Sequence, residues 1–396
     1  MRTLVLWDDA EQIELLQMYL NVDEGVVSTT LDPEAFLAAV RSEDPWDVIL
    51  MTTTHPDPDH AFRLFQEVEE QRPGTPIVGA CHSEGVYRIA QFLTAGLRSY
   101  VIRDVQGDYL FLLHAMLEGA VRQVSAEREK QISQQLRREI ESVRKLQESI
   151  IPQSISSPDG YQITARYESS QIRVFGGQPV TLAGGDYYDA FSLTGDNIVV
   201  LVGDASGHGM KACMSIMTMH TLIRMIREND FRDPARFVTL VNRQIFNQRI
   251  VNEDGGFITL LYGVLDIATH TFKWCSAGHP VPLLQDLETG AVTAVGTEED
   301  PGLPLGIMDE VEYETRTLTL PSHCRLALFS DGLIEAFGDS ATNQFGNHGV
   351  SGSMTRTRSR PLDECLECLF HDSNAFTKGI GRHDDTSILL VQRDAR

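Results

Sequence analysis

The chain has 396 residues, 42% of them hydrophobic and 22% charged. This excludes a wholly disordered polymer and, at ~100–200 residues per domain, suggests two or three domains. With 33 Lys and Arg against 56 Asp and Glu, the formal net charge is −23, which argues against partners such as nucleic acid or an anionic membrane surface. No apolar run reaches the ~18–20 residues that cross a bilayer, and the N-terminus lacks a secretion-signal pattern, so a cytoplasmic protein is expected.

Residues 1–120 alternate short apolar runs with amphipathic stretches. Strands are predicted at Thr3–Trp7, Val26–Thr30, Asp47–Met51, Pro76–Ala80 and Ser99–Ile102, with helices at Glu11–Leu20 and Pro33–Arg41. Five strands alternating with helices predict right-handed βαβ units and a doubly wound, flavodoxin-like parallel sheet. Within this region His55–His60 reads HPDPDH. It nearly matches a metallo-β-lactamase metal motif, but it has Asp57 at the middle histidine and no downstream histidine ligands in this half, so no metal site is expected there.

Residues 121–151 form a different segment. No proline occurs from Val105 to Ile151, and between Arg122 and Glu148 there are seven basic and five acidic residues. Leu136, Val143 and Ile150 recur every seven residues, with Ile132 and Leu146 at alternate seam positions. Upstream, Leu113, Leu117, Val121 and Val124 keep a different register. The pattern predicts one long helix with a register break near Ser125–Gln131, forming a short coiled coil that pairs two copies of the chain. Pro152 ends it.

Residues 152–396 are strand-rich. Strands are predicted at Tyr161–Tyr167, Ile198–Val202, Phe257–Leu265, Thr271–Cys275, Tyr313–Leu320, Arg325–Phe329 and Thr386–Val391, and helices at Met210–Ile226 and Pro234–Gln248. Strands and helices in separate blocks predict an α+β fold of stacked antiparallel sheets. Residues 339–360, rich in Gly, Ser, Thr, Asn and Arg, read as a mobile loop. Six cysteines in this length make no disulfide framework, and the CxxC of Cys365 and Cys368 reads as buried thiols on a helix.

Four acidic motifs sit beside these strands: GGDYYD (184–189), GDASGHG (203–209), FSDG (329–332) and HDDT (383–386). Each places an aspartate at a strand end or turn. Mg²⁺ or Mn²⁺ takes such carboxylates while keeping waters, and glycines let the backbone approach the ions. Two ions together can activate a water and neutralise a phosphoryl group.

With LQESIIP (146–152), TLLYGVLD (259–266), SAGHP (276–280), PLGI (304–307), FSDGLIEA (329–336) and DDTSILL (384–390) in this order, residues from about Gln147 to Val391 resemble the PPM (PP2C-like) metal-dependent serine/threonine phosphatases of the SpoIIE/RsbU type. The resemblance implies a β-sandwich flanked by helices and two Mg²⁺ or Mn²⁺ ions. It implies that Asp204 bridges both ions, with the Ala205 carbonyl as a further ligand. Asp331 and Asp384 bind one ion and Asp186 holds the other side, directly or through water. Asp189 and Asp385 are implied to support the ligands. His208 is implied to protonate the leaving group or orient water, or else to make a structural hydrogen bond in its turn. His279 is read as structural. The implied reaction is hydrolysis of phosphoserine or phosphothreonine without a covalent enzyme intermediate. The implied substrate is a STAS-type anti-sigma-factor antagonist.

Residues 1–120 resemble a response-regulator receiver with a degenerate site. Asp8 and Asp9 occupy the acidic-pair position, but Thr52 replaces the phosphorylated aspartate, Cys81 the later Thr/Ser and Arg103 the lysine. This implies a pseudo-receiver that regulates the phosphatase. The competing expectation is a non-catalytic adaptor or scaffold that keeps the phosphatase fold and controls a sigma factor.

Overall fold

The computed structural model describes all residues except 22–24, 173–179, 182, 194–195, 227–231, 253–254, 298–300, 339–341, 379–383 and 395–396, together with the backbone alone of residues 171–172 and 180–181. His383 of the HDDT motif and the first residues of the 339–360 segment lie outside the described residues. The chain divides into two compact units, Met1–Leu136 and Arg137–Arg396.

The first unit runs β1 (Arg2–Leu6), α1 (Ala10–Leu20), β2 (Val26–Thr30), α2 (Pro33–Arg41), β3 (Val48–Thr52), α3 (Pro58–Gln71), β4 (Ile77–His82), α4 (Ile89–Thr94), β5 (Ser99–Arg103) and the start of α5 (Leu110–Ile150). Its sheet is parallel, in the order β2-β1-β3-β4-β5. Successive residues of its central strands serve opposite faces, as a pleat requires. Leu4, Leu6, Ile49 and Met51 join the core with α2 and α3, whereas Val5, Trp7, Val48 and Leu50 join the core with α1 and α5. Asp32 and Asp57 cap helices that open with proline, Pro33 and Pro58. Each aspartate accepts a backbone N–H the first turn leaves free, and each proline has none to lose.

Helix α5 is continuous across Ser125–Gln131, so the expected register break is a change of buried face and not a break in the helix. Leu113, Leu117, Ala120 and Val124 are buried against the first unit, while Ile132, Leu136 and Leu146 are exposed and Val143 and Ile150 half-buried. Gly119, the one glycine inside the helix, is too weak a breaker alone.

The second unit continues with β6 (Tyr161–Glu168), β7 (Gln171–Ile172), β8 (Val180–Thr181), β9 (Asp186–Ser192), β10 (Asn197–Ala205), α6 (Met210–Ile226), α7 (Pro234–Phe246), α8 (Arg249–Asn252), β11 (Ile258–Asp266), β12 (Thr271–Ala277), β13 (Leu283–Asp286) and β14 (Val292–Ala294). It ends with β15 (Arg316–Thr319), β16 (Cys324–Phe329), α9 (Asp331–Ile334), α10 (Gly346–Arg356), α11 (Leu362–Phe376) and β17 (Thr386–Arg393). Two antiparallel sheets, ordered β15-β12-β11-β10-β9 and β14-β13-β16-β17-β6, share a core. Leu326, Leu328, Leu389 and Val391 point into that core, while Ala327, Phe329, Ile388 and Leu390 pack under α10 and α11.

Two expectations change here. The strand expected at Tyr313–Leu320 is confined to Arg316–Thr319, the residues that pair with β12 from Thr271 to Trp274. The loop expected at 339–360 contains helix α10, which buries Val350, Ser353 and Met354. Its composition is poor for a helix, and tertiary contacts supply what propensity lacks. Arg325 on β16 is fully buried and donates to Gln392 (2.8 Å), to Gln285 (3.4 Å) and to the carbonyls of Thr357 (3.4 Å) and Arg360 (3.1 Å). The Gln285 amide donates to the Met354 carbonyl at 2.8 Å. A buried guanidinium with neutral acceptors thus sits at the negative end of the α10 dipole and satisfies carbonyls the helix leaves open. Arg325→Met is expected to cost about 3 kcal/mol. Amide exchange across 346–360 should rise before that of β16 and β17, which hydrogen-exchange mass spectrometry reads directly.

Candidate active site

Asp186 is the first residue of β9 and Asp204 the last but one of β10, and the antiparallel register sets them directly opposite each other. Such partners have Cβ atoms ~4.5–5.5 Å apart, and like charges there repel. Both side chains are buried. Burial, then neighbouring carboxylates, raise both well above the usual range: Asp385 and Asp331 act on Asp186, and Asp186, Asp331 and Asp384 on Asp204.

The turn after β16 carries Ser330 and Asp331, and the turn before β17 carries Asp384 and Asp385. Burial first, then Glu335 and Asp384, push Asp331 up to about 6. Asp384 is raised by burial and by Asp385, with His208 opposing. These two turns interlock at Gly332, where a Cβ would lie 1.8 Å from the Asp385 carbonyl oxygen. Any side chain at this position would drive the two aspartate turns apart.

Hydrogen bonds fix this arrangement. The Ser330 hydroxyl donates to Asp186 Oδ2 at 2.6 Å and accepts from the Ser387 N–H at 2.9 Å. Asp385 accepts from the Ser170 N–H at 2.7 Å and the Gly185 N–H at 2.6 Å. Gln147, in the last turn of α5, is fully buried. Its Oε1 accepts from the Gly184 N–H at 2.7 Å, and its amide donates to the Asp186 carbonyl at 3.3 Å and the Tyr167 hydroxyl at 3.4 Å.

The residues fit a hard divalent cation. Asp186 Oδ1 is buried without a hydrogen-bond partner. At Gly185 a Cβ would fall 2.7 Å from the Ala205 carbonyl oxygen and 3.1 Å from Asp204 Oδ1, so glycine keeps this oxygen-lined space open. Among the described residues no three His, Cys, Asp or Glu side chains already converge on one point. The donor set therefore calls on the Ala205 carbonyl and on water, as Mg²⁺ sites do.

Asp189 departs from the expected ligand-supporting role. Three residues along β9 from Asp186, it faces the other side of the sheet, where it pairs with Arg224 at 2.7 Å and accepts from the Tyr187 hydroxyl at 2.8 Å. Its parity on the strand decides this. His208 is exposed in its glycine-rich turn. His279 is a core residue whose Nδ1 lies 2.8 Å from Thr259 Oγ1, and burial pushes it down to about 3. Gln147, Tyr167 and Ser330 are the residues sequence reasoning missed. A glutamine on a polar helix looks like any solvent-facing one, and only its place just before Ile150–Pro152 marks it.

In the first unit, Asp8 and its neighbours are engaged by one another's side chains. Arg103 is buried, pairs with Asp8 at 2.5 Å, donates to Gln12 at 3.2 Å and lies 4.5 Å from the Trp7 ring centre. Asp9 caps α1 through the Glu11 N–H at 2.9 Å. Thr52 and Cys81 are fully buried. Nearby, His55 Nε2 lies 2.9 Å from the Leu31 carbonyl oxygen and Asp57 caps α3. In the second unit, Cys365 is buried on α11 and the Cys368 thiol contacts Asp372 at 3.1 Å.

The profile of the family "Stage II sporulation protein E (SpoIIE)" matches residues 194–394, half of the chain. The chain belongs to the SpoIIE family. This SpoIIE-family protein is 24% identical over 282 residues to Protein IcfG of Synechocystis, a match covering 65% of this chain and 42% of IcfG. It is 24% identical over 298 residues to the phosphoserine phosphatase RsbU of Bacillus subtilis, covering 73% of this chain and 80% of RsbU. The chain thus spans less than half the length of IcfG. Among solved structures, the SiaA-PP2C domain of Pseudomonas aeruginosa superposes with a TM-score of 0.52 at 18% identity, covering 68% of this chain and all of that domain. The second unit has the PP2C fold.

Replacing Gln147 by Ala removes its hydrogen bonds to Gly184 and to the Asp186 carbonyl at the start of β9, and a third to Tyr167 on β6. Stability is expected to fall by about 1–3 kcal/mol. The Mn²⁺ affinity measured by titration calorimetry should weaken several-fold, because Asp186 loses its backbone support.

Proposed function

We propose that this SpoIIE-family protein is a metal-dependent protein serine/threonine phosphatase of a bacterial partner-switching pathway. Its proposed substrate is a phosphorylated STAS-type anti-sigma-factor antagonist, and its proposed location is the cytoplasm. No described helix is long and apolar enough to cross a membrane. The observation that carries the reading is the buried Asp186–Asp204 pair facing Asp331 and Asp384. Opposed carboxylates weaken a fold unless cations neutralise them. An adaptor without catalysis would have no use for that cost, which favours the enzyme over the scaffold.

Two Mg²⁺ or Mn²⁺ ions bound there would supply an activated water and charge neutralisation for the phosphoryl group. Asp204, Asp186, Asp331, Asp384 and the Ala205 carbonyl would hold them. Ser330 keeps Asp186 aimed at the site, and Asp385 holds the Ser170 and Gly185 backbones around it. His208, exposed and near enough to Asp384 to act on its charge, is proposed to give a proton to the leaving serine or threonine oxygen or to orient water.

The first unit is proposed to act as a pseudo-receiver. Its Asp8 charge is already answered by Arg103, and a threonine hydroxyl at position 52 forms no acyl phosphate. Residues 121–151 are proposed to pair two copies as a coiled coil, since Ile132, Leu136 and Leu146 are exposed along α5.

Asp204→Asn is expected to lower Mn²⁺-dependent phosphate release from p-nitrophenyl phosphate by roughly a hundredfold or more. Circular dichroism should stay native, and chelator should abolish the wild-type rate. Near-wild-type turnover by Asp204→Asn would sink the proposed chemistry. Leu136→Asp combined with Val143→Asp should convert a dimer to monomers in sedimentation and change the phosphatase rate with it. A wild type that is monomeric at micromolar concentration would rule out the pairing.

A further inference from the structure

Helix α6 begins at Met210, directly after the GDASGHG turn that carries Asp204 and His208. At 100° per residue, Met210, Met214, Met217, Thr221 and Met225 fall within an arc of about 80° on one face. The opposite face is the buried one, with Cys213, Ile216, Met219 and Ile223. Met210 is 46% exposed, Met214 43% and Met225 71%, with Met217 half-buried. Water-facing methionines on successive turns fill no core.

A second apolar group lies at the same end of the sheet. Leu305 pairs with Ile258, which is itself paired with Ala205 across β11 and β10. Its neighbours Ile307 and Met308 are 45% and 51% exposed. This segment is held rigidly. The buried Asn242 of α7 accepts from the Gly306 N–H at 2.9 Å and donates to the carbonyls of Met308 (2.8 Å) and Asp309 (3.1 Å). Gly306 abuts Val251 and Asn252 of α8, and α8 packs on α6. The methionine face and the 307–308 tip are thus joined through α8.

We propose that Met210, Met214 and Met217, with Ile307 and Met308, form the docking surface for the body of the phosphoprotein substrate. The partner is a folded domain whose phosphoserine or phosphothreonine is flanked by exposed aliphatic or aromatic side chains. The proposal rests on the phosphatase reading above. The argument is one of continuity with the carboxylate site. A protein interface covers about 800 Å² on each partner, a disc reaching roughly 16 Å from its centre. A folded substrate with its phosphate at Asp204 must cover the surface around that point. At 1.5 Å per residue, Met210 to Met217 spans only ~10 Å of α6. Met225 lies ~22 Å along the helix, outside that disc. Thioether side chains adapt to partners of different shape, which suits a surface that must accept and release a substrate.

The experiment compares p-nitrophenyl phosphate with a serine-phosphorylated STAS-domain protein, both with Mn²⁺. Met214→Glu combined with Met217→Glu should leave p-nitrophenyl phosphate turnover within about twofold, which also shows that the variant is folded. It should lower kcat/KM for the phosphoprotein at least about tenfold, as expected when an apolar contact is replaced by desolvated charge. Met214→Ala should give a smaller loss in the same direction, and Met225→Glu should leave both rates within about twofold. Equal loss on both substrates, or no loss on the phosphoprotein, overturns the proposal. So does a wild type that handles the phosphoprotein no better than an isolated phosphopeptide of the same sequence. If the double variant instead dissociates an oligomer in sedimentation and keeps its phosphoprotein rate, the face binds a second copy and the proposal falls. A wild type inactive on p-nitrophenyl phosphate refutes the hydrolase reading itself.

Discussion

The second unit is organised by one electrostatic constraint: two aspartates on neighbouring antiparallel strands, buried and directly opposed. Asp186 and Asp204 repel each other, and burial strips the water that would soften the repulsion. Everything around them holds the oxygens close. Gly185 leaves room for the Ala205 carbonyl, Gly332 lets the two aspartate turns touch, and Ser330 and Asp385 fix the backbone and the Asp186 carboxylate. Divalent cations bound there would stabilise the fold, since neutralisation would remove the repulsion between the opposed carboxylates.

Helix α5 carries the second theme. It is one continuous helix whose first turns are core residues of the first unit and whose last turn places Gln147 under the strand of Asp186. Between them its apolar stripe is exposed. The first unit contributes an already neutralised site, with Arg103 and Asp8 paired beside Trp7, Gln12 and Tyr109, the residue just before α5. Held through both terminal nitrogens, the Arg103 guanidinium favours one arrangement at the base of the helix.

Outer parts of the second unit show how far tertiary contacts override local preference. Residues 346–356 are rich in glycine and serine, yet they are helical because Gln285 takes the Met354 carbonyl, Arg325 takes those of Thr357 and Arg360 just beyond the helix, and Val350 and Met354 reach the core. Asp189, by contrast, is set by local strand geometry. It shares a motif with Asp186, but an odd spacing puts it on the opposite face, against Arg224.

Much was legible from sequence because it depends on short-range periodicity and on turn chemistry. The five parallel strands, the long helix, the strand blocks and the four aspartate motifs all carry local signatures: short apolar runs, heptad spacing, and Asp beside Gly. Other features depend on what lies opposite in space. Only the tertiary structure decided that Asp186 and Asp204 are register partners, that Gln147 is buried beside the start of β9, and that 346–356 is a helix. The physical reason is common to all three. A residue's own neighbours set its backbone preference, but strand register and burial are set by groups tens to hundreds of residues away, and no local pattern encodes which of them arrives.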